Sequence, residues 1–492
     1  MPENILVIDA GTTSTRAMVF APDGQLLRVA QAELTQHYPQ PGWVEHDAAE
    51  IWARSLACAR EAVGDDASAI AAIGITNQRE TVVAWDKANG EPLARAIVWQ
   101  DRRTADACAG LKEAGHESPV QSATGLLLDP YFSATKMRWL LDNDGRVRAA
   151  AEGGRLAFGT IESWLTFKLT ATTRGSGAHV SDASNASRTL LLKLDGAQFD
   201  AGLCDLFGVP RAALPEVVDT HGPLEVTDPQ WLGRAIPVCG LIGDQQSATV
   251  GQGCLVPGET KATYGTGAFV LASLGEALPR SRNRLLGTVL TQSSGRRSYA
   301  LEGSVFVAGS LVQWLRDRLG VISSAAETEA LARSIPDSGG VTIVPALAGL
   351  GAPHWRPEAR GIISGLSFAS GRAQLARAAL EAMAQQTYDL AAAFAADGAP
   401  WQALRIDGGM SANDWMAQDL ADILDLPVER PEFVETTALG AAICAAVGVG
   451  LHASLGEAAA AMRGPGRGFT PAMDDVVRQE RLARWGRALA AA

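Results

Sequence analysis

The sequence predicts an α/β protein made of two large domains that face a shared cleft. Three observations favour this fold class. Strands alternate with helices along most of the chain. A hairpin with a polar turn at residues 5–20 is repeated in plan at residues 258–273. With 492 residues, the chain is also too long for one hydrophobic core.

The first hairpin, residues 5–20, carries polar groups suited to phosphate. An apolar run ends in Asp9, and Gly11, the hydroxyl residues 12–15 and Arg16 separate it from a second apolar run. The turn offers backbone N–H groups, hydroxyls and a guanidinium to phosphate oxygens. Asp9, at the strand end, is suited to a hard cation such as Mg²⁺. The residues alone also allow an ordinary hairpin with a polar tip.

The second hairpin, residues 258–273, follows the same plan. A short strand leads into Gly265-Thr266-Gly267, and an apolar strand follows over 268–272. Two such turns, one from each half of the chain, predict two related half-domains around one phosphate-binding cleft. We place the boundary near residue 244, which gives domains 1–243 and 244–492.

The first half alternates strands and helices. Asp47 and Glu50 resemble a capping box that opens a helix over 48–63. The pattern indicates strands at 26–34, 70–75, 81–85 and 96–99, helices at 102–114, 133–142 and 158–170, a polar loop at 171–188 and an irregular connection at 195–236.

The second half continues the alternation. A long alanine-rich helix is predicted over 372–396, and the Ala- and Gly-rich stretch 438–451 fits a packed helix. The other predicted elements are strands at 236–242, 260–272 (a hairpin), 298–301, 341–345 and 404–406, a helix ending near Trp314 and a helix at 413–424.

Composition excludes several classes of function. A formal net charge of −12 argues against non-specific binding of nucleic acid, which needs a basic surface. The N-terminus lacks a signal-peptide pattern, and no apolar stretch has the length of a membrane span. The 6 cysteines show no CxxC spacing, which predicts free thiols and a cytoplasmic location.

Several well-known catalytic motifs are missing from the sequence. No lysine follows a glycine, so there is no P-loop of the GxxxxGK[ST] type. The GxSxG nucleophile elbow and the protein-kinase motifs are absent as well. The 7 histidines form no HxxxH or HExxH pair, which argues against zinc. Phosphate chemistry would therefore depend on the two hairpins.

Asp244 is the candidate general base. It ends a buried strand and begins a helix, where backbone N–H groups favour a carboxylate. Phosphoryl transfer to an alcohol needs a carboxylate within hydrogen-bonding reach of the hydroxyl. The alternative interpretation is a helix cap beside Gln245.

A candidate acceptor site lies in the first half. Arg79 and Glu80 stand together at a strand end and supply the donors and acceptors that a polyol needs. Trp99, Tyr131 and Phe269 offer apolar faces for its carbon atoms. Taken singly, the Arg–Glu pair reads as a surface ion pair and each aromatic residue as core.

The sequence motifs resemble those of the FGGY carbohydrate kinases over residues 4 to about 485. Within that family, the NQRE run in GITNQRET is similar to the branch that phosphorylates glycerol. The other segments that carry the resemblance are DAGTTSTR, YPQPGWVEHD, IVWQDRRT, DPYFSATK, SNASRT, GDQQSA, YGTGAF, GLGAPHW and ERPEFVETTALG.

The resemblance implies two actin-like, ribonuclease-H-like ATPase domains with a cleft between them. The two hairpins resemble the phosphate-1 and phosphate-2 loops of that superfamily, and 407–413 resembles its adenosine loop. Asn413 would hydrogen-bond the base or ribose, or else cap the following helix.

By motif, the resemblance also assigns site residues. Mg²⁺ would lie near Asp9 and Asp244. The implied glycerol contacts are Arg79, Glu80, Trp99, Tyr131, Asp244, Gln245 and Phe269. The implied nucleotide contacts are Thr12, Thr13, Ser14, Arg16, Thr266, Gly267, Gly409 and Asn413.

The implied activity is transfer of a phosphoryl group from ATP to glycerol, giving sn-glycerol 3-phosphate, with Asp244 as base. This reaction is the first step of glycerol catabolism, and the resemblance suggests a homodimer or homotetramer. Two rival functions stay open at this stage: a kinase for another polyol or a ketose, and a chaperone-like ATPase that uses nucleotide to change shape.

Overall fold

The computed structural model describes residues 2–172, 177–356 and 358–492. In the first half, the strands are β1 (Asn4–Ala10), β2 (Ser14–Phe20), β3 (Leu26–Glu33), β4 (Glu45–His46), β5 (Ile70–Asn77), β6 (Val83–Asp86), β7 (Ala96–Ile97), β8 (Leu156–Gly159), β9 (Val180–Asp182), β10 (Glu216–Val218), β11 (His221–Val226) and β12 (Pro237–Gly243). The helices of this half are α1 (Ala48–Val63), α2 (Ala105–Glu113), α3 (Glu117–Thr124), α4 (Ser133–Asn143), α5 (Gly145–Glu152), α6 (Ile161–Thr170), α7 (Ala183–Ala186), α8 (Ala201–Phe207) and α9 (Pro229–Leu232).

The second half continues the numbering. Its strands are β13 (Glu259–Tyr264), β14 (Ala268–Gly275), β15 (Leu286–Ser293), β16 (Arg296–Val305), β17 (Thr342–Val344), β18 (Ile362–Ser364), β19 (Ala403–Asp407), β20 (Val428–Pro431) and β21 (Gly466–Phe469). Its helices are α10 (Asp244–Gly251), α11 (Gly309–Asp317), α12 (Glu327–Arg333), α13 (Arg372–Ala396), α14 (Asp414–Leu424), α15 (Thr436–Gly448), α16 (Leu455–Met462) and α17 (Asp475–Ala490).

Two large mixed sheets share one plan. The first has the strand order β11-β12-β5-β1-β2-β3, with β1 and β2 as an antiparallel hairpin and β12, β5 and β1 parallel. The second has the order β15-β16-β14-β13-β19-β20-β21, with β13 and β14 as the hairpin and β13, β19 and β20 parallel. In each sheet, the first strand of the hairpin also pairs with a parallel strand, which is β5 in the first sheet and β19 in the second. The repeat in the sequence is therefore also a repeat in the fold.

The central strands of the first sheet are apolar because helices cover both faces. Every residue of β5 is buried. One face packs with α1, where Ile51 and Ala59 join a cluster with Ile8 and Ile73. The opposite face packs against α15 of the second half, whose alanines join a cluster with the strand residues of β1. The boundary near residue 244 stays a prediction.

The predicted hairpins, the central strands and the helices over 48–63, 133–142 and 372–396 are confirmed within one or two residues. Several other expectations are wrong. Residues 158 and 159, predicted as the first residues of a helix, belong to β8 instead, and α6 begins at Ile161. The described part of the predicted polar loop contains β9 and α7, and residues 173–176 of that loop lie outside the described ranges. The predicted irregular connection contains α8, β10, α9 and β11, which pairs with β12 at the sheet edge. None of the described helices has the length and apolar character needed to cross a bilayer.

Helices α10 and α15 pack so closely that one glycine is required. A Cβ at Gly440 would overlap the carbonyl oxygen of Ser247 on the facing helix. We therefore expect Gly440→Ala to lower the free energy of unfolding by about 1–3 kcal/mol, the usual effect of overpacking. Urea unfolding followed by tryptophan fluorescence measures the change.

Gly110 is the matched control for this substitution. It lies in the exposed part of α2, and a Cβ there would meet no atom within 4 Å. Gly110→Ala should therefore raise stability by about 0.5–1 kcal/mol, because alanine is the better helix former. Equal effects at both positions would contradict the packing argument.

Candidate active site

The candidate site lies where three parallel strands of the first sheet end side by side. Asp9 of β1 is level with Thr76 of β5, and Gly243 of β12 is level with Asn77. The chain leaves β5 into Gln78-Arg79-Glu80 and leaves β12 into Asp244. The carboxyl ends of parallel strands are the usual place for ligands in α/β sheets. This topology brings Asp9, Arg79, Glu80 and Asp244 to one edge.

Backbone and side-chain hydrogen bonds fix the conformation of the first polar turn. The Gly11 N–H donates to the Ser14 carbonyl oxygen at 3.0 Å, and the Leu34 N–H donates to the Thr13 carbonyl oxygen at 2.9 Å. The Trp99 indole donates to the Thr12 hydroxyl at 2.9 Å. The predicted acceptor residue Trp99 and the predicted phosphate residue Thr12 are therefore direct neighbours.

Arg16 joins the first turn to the second half of the chain. Its guanidinium donates to the Asp9 carboxylate at 2.9 Å and to Glu435, just before α15, at 2.6 Å. Asp9 is buried, and burial raises the pKa of its carboxyl against the opposing effect of Arg16. Both side chains stand at the turn, as the sequence predicts.

The second turn and the predicted adenosine loop also stand side by side. Asp407 at the end of β19 is level with Thr263 of β13, one residue before the strand end. The Thr266 carbonyl oxygen accepts from the Ser310 hydroxyl at 2.9 Å, which ties the turn to the start of α11. Gly408 has a φ of 85°. A Cβ there would lie 2.5 Å from the Tyr264 carbonyl oxygen, so the two loops approach as closely as a glycine permits.

The remaining predicted nucleotide residues lie on these loops. Gly267 sits in the second turn and Gly409 begins the short 3₁₀ segment after Gly408. Asn413 caps α14, because its side chain accepts from the Met416 N–H at 2.9 Å. Its amide also donates to the Thr328 hydroxyl at 3.3 Å. The structure therefore bears out the capping role for Asn413, and the nucleotide contact stays a prediction.

Asp244 stands at the start of α10 with about a third of its side chain exposed. Its Oδ1 accepts from the Gln245 N–H at 2.7 Å and lies 3.2 Å from Arg79 Nε. Gly243 is the N-cap residue, and no side-chain cap hydrogen bond closes α10. Burial raises the pKa of Asp244, and Arg79 opposes this shift. A carboxylate with a raised pKa and an exposed face is suited to accept a proton.

Arg79 is buried and is held by the second sheet. Its two Nη atoms donate to the Glu302 carboxylate of β16 at 2.7 and 3.1 Å. The same guanidinium donates to Gln246 at 3.2 Å. The interpretation of Arg79 and Glu80 as a surface ion pair is wrong, because Arg79 is buried and its main partner is Glu302, 223 positions later in the chain. Glu302 thus fixes the arginine that faces Asp244.

Glu80 is paired with a second buried arginine. Arg188 Nε donates to Glu80 at 2.6 Å, and Arg188 Nη2 donates to Glu302 at 3.1 Å. Burial raises the pKa of Glu80, although Arg79 and Arg188 oppose the shift. Burial would raise the pKa of Glu302 as well, but Arg188 and Arg79 together lower it to about 2. The four residues form a buried ionic cluster between the two halves of the chain.

The backbone at Glu80 is strained and firmly anchored. Its φ is 61°, which non-glycine residues seldom adopt. The Glu80 carbonyl oxygen accepts from the Ser133 hydroxyl at 3.0 Å and from the Lys136 ammonium at 3.5 Å. Lys136 also donates to the Tyr131 carbonyl oxygen at 2.5 Å, so one side chain positions two predicted acceptor residues. Strain of this kind is typical of functional sites.

The predicted aromatic contacts divide into two groups. Trp99 and Tyr131 pack edge to face, with ring centroids 5.6 Å apart, and the Arg79 Nη2 lies 3.5 Å from the Tyr131 hydroxyl. Phe269 lies on β14 of the other sheet, opposite Thr263 and partly exposed. None of the three is a fully buried core residue.

Gln245, the last predicted acceptor residue, is bound by a buried lysine. Lys261 of β13 donates to the Gln245 Oε1 at 2.6 Å. Burial lowers the pKa of Lys261, and the carboxylates of Asp407 and Asp244 oppose this shift. The hydrogen bond crosses from the second hairpin to the first turn of α10.

Sequence reasoning missed Lys136, Arg188, Lys261 and Glu302. Arg188 lies in the SNASRT text and Lys261 in the second hairpin, but neither received a role. A charged residue within an apolar strand was the available signal, since Glu302 follows Ala300 and Leu301 on β16. Such residues are fully buried only when they are paired.

The carboxylates at the first strand ends suit a hard cation. Asp9 lies near the end of β1 and Asp244 follows β12, and β5 separates these two strands, which places the two backbones roughly 10 Å apart. In the described part of the chain, no three His, Cys, Asp or Glu side chains form a metal-binding group. One or two carboxylates together with substrate phosphates are the common ligand set for Mg²⁺. The donor set is therefore compatible with Mg²⁺ bound jointly with a nucleotide.

Known proteins match the chain over nearly its whole length. Residues 4–251 match the profile of the FGGY family of carbohydrate kinases, N-terminal domain, and residues 260–449 match its C-terminal domain. A glycerol kinase of Rhodospirillum centenum is 54% identical over 98% of this chain and 96% of its own length. A glycerol kinase of Rhodospirillum rubrum is 53% identical over 99% and 98%. The crystal structure of Plasmodium falciparum glycerol kinase with ADP superposes with a TM-score of 0.94 at 34% identity, covering 99% of this chain and 98% of that one.

Proposed function

The chain belongs to the FGGY family of carbohydrate kinases, and from this premise we propose that it phosphorylates glycerol with ATP to give sn-glycerol 3-phosphate. The observation that carries the choice of acceptor is the 54% identity to a glycerol kinase over 98% of the chain. The buried Arg79–Glu80 cluster beside Asp244 supports the same acceptor class, because a small polyol needs several donors and acceptors in a confined space.

In the proposed reaction, Asp244 accepts the proton of the attacking hydroxyl. The hydroxyl oxygen forms a bond to the γ-phosphorus, the bond from that phosphorus to the bridging oxygen breaks, and ADP leaves. Arg79 keeps the Asp244 carboxylate oriented through the 3.2 Å contact of its Nε. The raised pKa of Asp244 makes it a better base than an exposed aspartate.

The nucleotide is proposed to lie across the two polar turns. Thr12, Thr13, Ser14 and Arg16 would contact its phosphates from one side, and Thr266 and Gly267 from the other. Gly409 and Asn413 would contact the adenosine part. Backbone N–H groups and fixed cations stabilise the charge that spreads over a transferring phosphoryl group. When bound with the nucleotide, Mg²⁺ near Asp9 and Asp244 would neutralise charge on the phosphate oxygens.

The acceptor is proposed to contact Arg79, Glu80 and Gln245 through its hydroxyl groups. Its carbon atoms would pack on Trp99, Tyr131 and Phe269. Because phosphate-binding turns come from both halves, closure of the cleft over a filled acceptor site would exclude water and limit hydrolysis of ATP.

The proposal is tested by measuring ADP release with glycerol and with a panel of other acceptors, including a pentulose, gluconate and no acceptor. We expect kcat/KM for glycerol to exceed that for every other acceptor by at least about tenfold. Faster turnover of a pentulose would overturn the assignment of the acceptor. ATP hydrolysis at the same rate with and without glycerol would instead favour the nucleotide-driven conformational switch.

Three further features remain proposals that follow from the family. These are a division of the chain into domains 1–243 and 244–492, a homodimer or homotetramer, and a cytoplasmic location. Limited proteolysis and sedimentation velocity test the first two directly.

A further inference from the structure

Lys261 is a buried charged residue without a role in the reaction described above. It lies on β13, its side chain has no exposed surface, and its Nζ donates to the Gln245 Oε1 at 2.6 Å. The register pairs Lys261 with Leu271 and Thr263 with Phe269. Alternate residues of a strand share a face, so Lys261 lies on the same face as Phe269, toward α10.

The chemistry of an ammonium group decides how the Gln245 amide is turned. Lysine has three donors and no acceptor, so the amide must present its oxygen to Lys261. The amide NH₂ group therefore points away from the lysine. Within the described ranges, no hydrogen bond from the Gln245 Nε2 to another protein group is formed, and the side chain is partly exposed.

We propose that Lys261 is a positioning residue that holds the Gln245 amide with its NH₂ group toward the acceptor alcohol. Gln245 then donates a hydrogen bond to a hydroxyl oxygen and leaves the hydroxyl protons to Asp244 and Glu80. The inference rests on the proposed function, since it assumes that an alcohol binds beside Asp244.

Nearby carboxylates offset part of the cost of burying the Lys261 charge. A buried ammonium is costly unless it is paired. Burial disfavours the charged form of Lys261, the carboxylates of Asp407, Asp244 and Glu302 favour it, and Arg79 opposes it. A neutral hydroxyl or amide at this position could accept as well as donate and would leave the Gln245 amide free to turn, whereas an ammonium group allows one orientation.

Two variants test the orientation. In Lys261→Met, the amide loses its fixed partner, and we expect the acceptor KM to rise about tenfold with less than a twofold change in the KM for ATP. In Gln245→Glu, the partner of Lys261 is retained but the NH₂ group is replaced by an acceptor. The acceptor KM should again rise about tenfold, while the melting temperature stays at or above that of the wild type.

A double-mutant cycle separates positioning from a purely structural role. If Lys261 acts through Gln245, the Lys261→Met/Gln245→Ala variant has the same acceptor KM as Gln245→Ala alone. The inference would be overturned if the rise in acceptor KM of the double variant equalled the product of the rises in the two single variants. A Gln245→Glu variant with the wild-type acceptor KM would overturn it as well. Gln245→Glu keeps the test decisive if Lys261→Met does not fold.

The acceptor used is the alcohol that the wild-type enzyme phosphorylates fastest in the panel. Failure of glycerol in that panel removes the proposed acceptor but leaves the Lys261–Gln245 test in place. If glycerol is turned over but the two substitutions raise the acceptor KM independently, the inference about Lys261 is wrong and the proposed function stands.

Discussion

Replacing Asp244 by asparagine is expected to lower kcat by about 10²- to 10⁴-fold, the range that general-base catalysis contributes. The acceptor KM should change much less, because asparagine keeps the shape and one oxygen of the side chain. Steady-state ADP release with glycerol measures both quantities. Near wild-type kcat with intact glycerol binding would remove Asp244 from the role of base.

The choice of asparagine separates catalysis from helix capping. Asparagine caps helices about as well as aspartate, so a capping residue tolerates the change. Asp200→Asn is the matched control: Asp200 caps α8 by accepting from the Leu203 N–H at 2.9 Å and pairs with Lys193 at 2.7 Å. We expect kcat of this variant to stay within twofold of the wild type, which corresponds to a change in activation free energy of at most about 0.4 kcal/mol.

The raised pKa of Asp244 adds a pH signature. The carboxylate form is the base, so kcat/KM should fall as the pH drops through the pKa of Asp244 in the free enzyme. Because burial raises this pKa, the acidic limb should lie above the ordinary aspartate value of about 3.9. Loss of that limb in Asp244→Asn, with the residual rate independent of pH, would agree with the assignment.

Local patterns in the sequence were enough to predict the two hairpins. Each consists of two apolar runs that border a turn of glycines and hydroxyl residues. The residues that determine both the strands and the turn therefore lie within about 16 consecutive positions. The position of the candidate site residues at strand ends was predictable for the same reason. Asp244 directly follows the buried strand β12, Arg79 follows β5 after Gln78, and parallel strands bring their ends to one edge.

Contacts between distant segments could not be read from spacing. Arg188 reaches Glu302 across 114 positions, and neither residue stands at a strand end that the sequence marked as polar. The edge strand β11 was missed because only one neighbour covers it, so its residues are mixed in polarity. Lys261 was missed because a lysine in a hairpin is ordinarily exposed. Tertiary pairing overrides the local pattern at each of these places.

The second large effect is expected from Arg188→Met, which removes one cation from the buried ionic cluster. Arg188 has no exposed side-chain surface and forms ion pairs with both Glu80 and Glu302. Without it, Arg79 Nε at 3.8 Å is the one cation that still pairs with the Glu80 carboxylate among the described residues. Removing one partner of a buried pair destabilises a protein by about 3–5 kcal/mol. Urea unfolding measures the loss.

An exposed ion pair supplies the matched control. Arg333 pairs with Glu329 one turn earlier on α12 at 2.8 Å, and about half of its side chain is exposed. Arg333→Met removes the same charge and should change stability by less than about 0.5 kcal/mol. Similar losses in the two variants would show that Arg188 contributes no more than a surface residue.

The pH dependence of the loss identifies its cause. Burial already raises the pKa of Glu80, and removal of Arg188 raises it further. When the folded pKa of a carboxyl lies above its unfolded value, the folded state binds more protons, so stability falls as the pH rises through the folded pKa. We therefore expect Arg188→Met to be less destabilising near pH 5 than near pH 8. A loss that is equal at both values would indicate missing packing on Tyr131 and Phe132, over which the guanidinium lies, instead of an unpaired carboxylate.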